Sequence, residues 1–174
     1  MRSSKFLGHN DLTMGRNTKN RKFKLDNDTR TLFVLFDQAR DTLIRAVELE
    51  LKQSDINFAQ ARILYSLTQR KNGMTQGDLS KWHLRNLNTI STLTSKMEKE
   101  GLVKKTKSKE DGKVYVTLTQ QGSEVWDGVS ERAIFLTFSV LSKKEKEQLK
   151  VLMKKLRTEA RNILGLDFKP PFLP

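Results

Sequence analysis

Apolar positions set the first element. Leu32, Phe33, Phe36, Ala39, Leu43, Val47 and Leu51 recur at steps of three and four, which predicts a long helix from about Asp28 to Lys52. Together with Ile44, they make a broader apolar surface than a lone surface helix needs, so part of it is expected to meet another subunit. A second helix is predicted over Phe58–Gln69. Asn57 and Gln60 have the form of a capping box, and Ala61, Leu64, Tyr65 and Leu67 supply its apolar face. Lys71-Asn72-Gly73 is a stop of the left-handed kind. Met74-Thr75 then opens a third helix with Thr75 as N-cap and Asp78 three residues on; Leu79 and Trp82 pack inward, and the helix ends before Arg85.

Asn86 is the expected N-cap of the next helix. At about 100° per residue, Ile90, Leu93, Thr94 and Met97 form its buried stripe. Asn88, Thr92, Ser95 and Lys99 fall on the opposite side, flanked by Thr89, Ser91 and Lys96, with no acid and no large apolar group among them. Gly101 closes the helix. Leu102–Lys107 reads as a strand, Glu110-Asp111-Gly112-Lys113 as a turn, and Val114, Val116 and Leu118 as the inward positions of a return strand. A helix-turn-helix followed at once by a basic hairpin is a winged helix. Thr119 caps a further helix predicted from Gln120 to about Val140, with Val125, Trp126, Val129, Ala133, Ile134 and Leu136 apolar. After a break at Leu141-Ser142, Ser142 and Glu145 cap a last helix, Lys143–Leu164, with Leu149, Leu152, Met153, Leu156, Ala160 and Ile163 on one face. The Pro170-Pro171 tail cannot continue it. The fold class is mainly α with a small β-hairpin wing. Residues 1–25 form a basic arm, 26–53 a dimerisation helix, 54–122 a winged helix-turn-helix, and 123–174 C-terminal dimerisation helices and tail.

Charge changes what the outer face of the fourth helix can mean. Among 174 residues, 33 Lys and Arg stand against 20 Asp and Glu, a formal net charge of +13. Residues 1–30, 81–113 and 142–164 each carry a net +5. One such run is usually a solvated lysine face. Three in a small chain point to a polyanion: DNA, RNA or an anionic lipid surface. Short hydrogen-bonding side chains let a helix backbone come close to base edges, where amides pair bidentately with adenine.

Other chemistries find little support. With no cysteine there is no disulfide, thiolate metal site or thiol-based redox switch. Only His9 and His83 supply imidazole, so neither a histidine-rich zinc site nor a cofactor is expected, and His83 is read first as a packing residue. No Gly-rich phosphate loop, G-x-S-x-G or H-E-x-x-H is present, and no residues can be nominated for an enzyme. No run approaches the about 18 apolar residues of a membrane span, and no signal-peptide stretch opens the chain. The expectation is a cytoplasmic protein with no membrane partner.

The order of elements, together with Ser91-Thr92-Leu93-Thr94-Ser95-Lys96-Met97-Glu98-Lys99-Glu100-Gly101-Leu102-Val103, Val114-Tyr115-Val116-Thr117-Leu118-Thr119 and Gly122, resembles the MarR family of bacterial transcription regulators. The resemblance implies a homodimer with intertwined first and last helices, reading palindromic double-stranded DNA, with repression as the common mode. It places Asn86, Asn88, Thr89, Thr92 and Lys96 of the recognition helix against bases and phosphates, and Ser95 on the same outer face is a further candidate. Thr75, Gln76 and Arg85 are candidates for the phosphate backbone, and Lys109, Asp111 and Lys113 for the wing. Many members carry Asp-x-Arg at the wing tip. Here the nearest match is Asp111-Gly112-Lys113, and lysine lacks the planar fork that suits a narrow groove, which puts wing readout in doubt. The family also often binds small aromatic or anionic effectors. Phe36, Tyr65, Trp82 and Trp126 are candidates for lining such a pocket, though core packing is the default for aromatics at helical spacing. The competing reading is a winged helix that binds RNA or docks a protein without operator specificity.

Overall fold

The computed structural model describes residues 24–167; the arm, apart from its last two residues, and the prolines of the tail lie outside them. The elements run α1 (Asn27–Leu51), a 3-10 turn (Lys52–Ser54), α2 (Phe58–Thr68), β1 (Met74–Thr75), α3 (Gln76–His83), α4 (Leu87–Lys99), β2 (Val103–Lys107), β3 (Val114–Leu118), α5 (Gln120–Asp127), α6 (Arg132–Ser139) and α7 (Lys143–Ile163). They divide into two compact units. One holds residues 47–130, the other residues 24–46 and 131–167.

Local capping chemistry accounts for most helix starts. Asn57 and Gln60 close a reciprocal capping box on α2, with Asn57 Oδ1 accepting from Gln60 N at 3.0 Å and Gln60 Oε1 accepting from Asn57 N at 3.0 Å. Thr75, Asn86 and Thr119 cap α3, α4 and α5, and Ser142 with Glu145 forms a second box on α7. Each satisfies main-chain donors that a helix start otherwise leaves without partners.

In the unit of residues 47–130, Leu51, Ile63, Leu64, Leu79, Ile90, Met97, Val103 and Val116 form the core. The sheet is antiparallel with order β1-β3-β2. Val103 lies opposite Leu118 and Lys107 opposite Val114, so the wing is a regular ladder. Gly122 is where α5 meets the link between α4 and β2: a Cβ there would collide with the Leu102 carbonyl oxygen. Thr119 fixes the same junction by donating to Gly101 O at 2.6 Å while accepting from Gly122 N at 2.9 Å.

Three features depart from the sequence expectation. Met74–Thr75 is not the start of a helix but a short strand, pairing Met74 with Val116 and Thr75 with Tyr115. An N-cap residue has extended φ and ψ, so Thr75 serves both the strand and the helix. The helix expected over 120–140 is two helices, interrupted at Gly128–Glu131. Gly128 ends α5 and the Val129 N–H bonds back to Trp126 O at 3.0 Å, in a Gly-Val-Ser run of weak helix formers. On α2 it is Ile63 that is buried, whereas Tyr65 is largely exposed.

In the unit of residues 24–46 and 131–167, neither α6 nor α7 has a buried residue, and the buried positions of α1, Val47 and Leu51, lie outside this unit. Leu32, Phe33, Val34, Leu35 and Phe36 are exposed in succession on α1, as are Ile134, Phe135, Leu136 and Phe138 on α6 and Val151, Leu152, Met153 and Leu156 on α7.

Candidate nucleic-acid interface

The α3–α4 pair is held by its polar groups as well as its core. Leu84 makes the turn in the left-handed conformation, φ 51°, which costs a non-glycine residue on the order of 1 kcal/mol. Its N–H, and the N–H and C=O of Arg85, are tied back to α3, with Ser80 Oγ donating to Arg85 O at 2.6 Å. Beneath α4, Gln76 Nε2 donates to Thr94 Oγ1 at 2.8 Å, and Thr94 Oγ1 donates to Ile90 O at 2.8 Å. A buried polar pair of this kind sets the angle between the helices, because leaving either partner unsatisfied is costly.

On α4, Ile90, Thr94 and Met97 are buried and Leu93 half-buried, as the stripe predicted. Asn88 and Thr92 stand exposed, with no side-chain hydrogen bond to the other described residues. Asn86 Oδ1 accepts from both Thr89 N at 2.8 Å and Thr89 Oγ1 at 2.7 Å. Asn86 thus keeps its amide N–H groups to offer, and Thr89 its hydroxyl lone pairs. Ser95 Oγ accepts from Lys105 Nζ of β2 at 2.7 Å. Lys96 Nζ lies 3.6 Å from Glu100 Oε1, an exposed pair one turn on. Glu100 Oε2 in turn accepts from the buried Gln60 Nε2 at 2.5 Å. One feature of the helix escaped the sequence: Leu87, in its first turn, is exposed.

The three candidate backbone contacts part company. Arg85 is exposed, but Thr75 and Gln76 are buried. The Thr75 hydroxyl caps α3 and donates to Asp78 Oδ2 at 2.8 Å, and the Gln76 amide holds Thr94. Their side chains work inside the fold.

The wing loop is organised by Ser108 and Asp111. Ser108 Oγ accepts from Glu110 N at 3.2 Å, and the Ser108 N–H donates to Lys113 O at 2.8 Å. Asp111 Oδ2 lies 2.9 Å from Lys113 Nζ, while its Oδ1 accepts from Lys113 N at 3.1 Å. Tyr115 donates to Asp111 Oδ2 at 3.3 Å. The bond from the Lys113 ammonium is the main cause of an Asp111 pKa lowered to about 2, and it raises that of Lys113 reciprocally. Asp111 and Lys113 therefore partner each other, whereas Lys109 is exposed.

Tyr65 and Trp126 meet at 5.8 Å between centroids, and Trp82 meets His83 edge-on at 6.5 Å. Phe36 belongs to the other unit and is exposed. His83 is buried, and its Nε2 lies 3.1 Å from Ser66 Oγ. The Ser66 hydroxyl proton goes to Arg62 O at 2.9 Å, so His83 Nε2 is the donor and the ring is the neutral Nε2–H tautomer. Burial first, then the charges of Arg62 and Arg85, lowers its pKa to about 4. Among the described residues no cluster of three or more His, Asp or Glu side chains could hold a metal ion, and no helix is long and apolar enough to cross a membrane.

The MarR family model matches residues 56–115. Among solved structures, the S. aureus MepR–DNA complex is 24% identical, covering 78% of this chain and 99% of that one, with a TM-score of 0.68. The organohalide-sensing regulator RdhR-CbdbA1625, bound to 2,4-dichlorophenol, is 24% identical over 95% of this chain and 99% of its own, with a TM-score of 0.72. A mutant E. coli MarR complexed with operator DNA is 22% identical over 77% and 99%, with a TM-score of 0.68. No curated protein sequence matches the chain. The match to the MarR family model thus falls on the winged helix-turn-helix, residues 56–115, and the fold is the one these regulators share.

Proposed function

We propose that the protein is a sequence-specific, DNA-binding transcription regulator that acts as a homodimer on a palindromic operator in the cytoplasm of a bacterium or archaeon. The observation that carries the reading is the outer face of α4. Asn88 and Thr92 present hydrogen-bonding groups without partners among the described residues, with Lys96 and the lysine-rich wing beside them. Asn88 and Thr92 read base edges, and Asn86 and Thr89 contribute the groups their cap leaves over. Arg85, Lys96, Lys109 and Lys113 neutralise phosphates, Lys96 and Lys113 less than the others because Glu100 and Asp111 share their charge.

The homodimer is supported by the run of exposed apolar side chains on α1, α6 and α7, too extensive for a solvated surface. Repression is the mode proposed, relieved by a small aromatic or anionic effector. The dichlorophenol complex of RdhR supports the effector class. No catalytic role is assigned to any residue.

Selection of duplexes from a random-sequence library tests the reading. The expected product is an inverted repeat with half-sites about 10 base pairs apart. Asn88→Ala or Thr92→Ala should lose about 1–3 kcal/mol of preference for the selected site over random DNA. Equal losses on both DNAs would remove these residues from base readout. Recovery of structured RNA and no duplex site would overturn the function.

A further inference from the structure

The wing carries its positive charge unevenly. Lys113, at the tip, is held by Asp111 at 2.9 Å, so an approaching phosphate meets an ion pair there. Lys96 on α4 is similarly shared with Glu100. Lys105 differs. It lies on β2 opposite Val116, and its main-chain N–H donates to Glu98 Oε1 of α4 at 2.8 Å. Its ammonium donates to the neutral hydroxyl of Ser95 at 2.7 Å.

We propose that Lys105 is a phosphate-binding residue of the DNA interface, at the base of the wing rather than its tip, with Ser95 as its positioning residue. The proposal rests on the DNA-binding reading above.

Ser95 lies on the outer face of α4, one turn beyond Thr92 and Ser91, so its bond brings the Lys105 ammonium to the face that carries Asn88 and Thr92. A helix lying in a groove is flanked by phosphates, and contacts to them set its register. The Ser95 bond occupies one of three ammonium donors and cancels none of the charge. Lys105 is half-buried and already held at both its main chain and its tip. Little side-chain freedom is left to lose when it meets a phosphate, unlike a lysine that waves in solvent. Sequence periodicity cannot single it out, because Lys104, Lys105, Lys107 and Lys109 look alike without the Ser95 partner.

The test measures the slope of log Kobs against log salt concentration on a random-sequence 30-base-pair duplex, which needs no known operator. Lys105→Gln should reduce the slope by about 0.9 for each protomer that loses a phosphate contact. Lys105→Arg should restore it. Ser95→Ala should weaken binding several-fold while the slope stays near wild type, since the charge remains and only its placement is lost. Lys113→Gln should change the slope less than Lys105→Gln. A Lys105→Gln protein with the wild-type slope but a lower urea midpoint would make Lys105 a structural staple and overturn the proposal.

Acetic anhydride footprinting of the wild-type protein answers the same question if the variant does not fold. Lys105 should be protected by the duplex more than Lys113, and equal acetylation of Lys105 with and without DNA would overturn the inference. A wild-type protein without salt-dependent duplex binding would instead remove the DNA reading beneath it.

Discussion

The two units solve the problem of their apolar residues in opposite ways. Residues 47–130 bury theirs internally, down to Leu64, Leu79 and Met97 with no exposed surface at all. In residues 24–46 and 131–167, the helices leave Phe33, Phe135, Val140 and Leu156 more than 60% exposed. Both units contain amphipathic helices, so helix propensity does not separate them. The difference is closure. A sheet with helices packed on it can surround a core within one chain, whereas helices with a single apolar side and no sheet need a partner to cover it. That contrast fits the first unit to stability and the second to the proposed self-association.

The largest single effect should come from the closed unit. Leu64→Ala leaves a cavity among fixed neighbours and should lower unfolding free energy by about 2–5 kcal/mol in urea titrations. Leu152→Ala, on the open unit, should change the unfolding midpoint of the dissociated protein little. Similar losses for both would mean that the open unit also packs within one chain.

Next is the assembly itself. Phe135→Asp combined with Leu156→Asp should weaken self-association on the order of a hundredfold, as loss of buried anchors does. Sedimentation velocity reads the change, and circular dichroism should show the winged helix intact. A double variant that sediments as wild type would place the dimer contact elsewhere.

The smallest effect sharpens the contrast from inside the closed unit. His83 has a folded-state pKa of about 4, below the usual 6.5. Between those values the unfolded chain takes up a proton that the folded one refuses, so stability falls as pH drops through this window and is flat above it. At pH 5 the loss reaches at most about 2 kcal/mol relative to pH 7.5. His83→Gln, which keeps a donor for Ser66, should abolish the slope between pH 6.5 and 5.

What could be read along the chain follows from the range of the interactions. Caps join residues three apart, so Asn57 with Gln60, Ser142 with Glu145, and Thr75, Asn86 and Thr119 were all legible. The buried stripe of α4 was legible too, because a helix repeats its environment every three or four residues. The Leu84 turn was not, since the residue is one that avoids the left-handed region and only the packed helices on either side hold it there. The break at Gly128–Glu131 was hidden by an apolar period that carries across it.

By itself, then, the sequence determined most of the elements, their order, the outward polar face of α4 and the resemblance to the MarR family. Tertiary structure alone decided how side chains distant along the chain divide the work. It paired Met74–Thr75 with β3, turned Thr75 and Gln76 inward, balanced Lys113 against Asp111, and brought Lys105 to Ser95. The physical reason is that periodicity reports which face a residue occupies, whereas a hydrogen bond depends on what another segment brings within 3 Å.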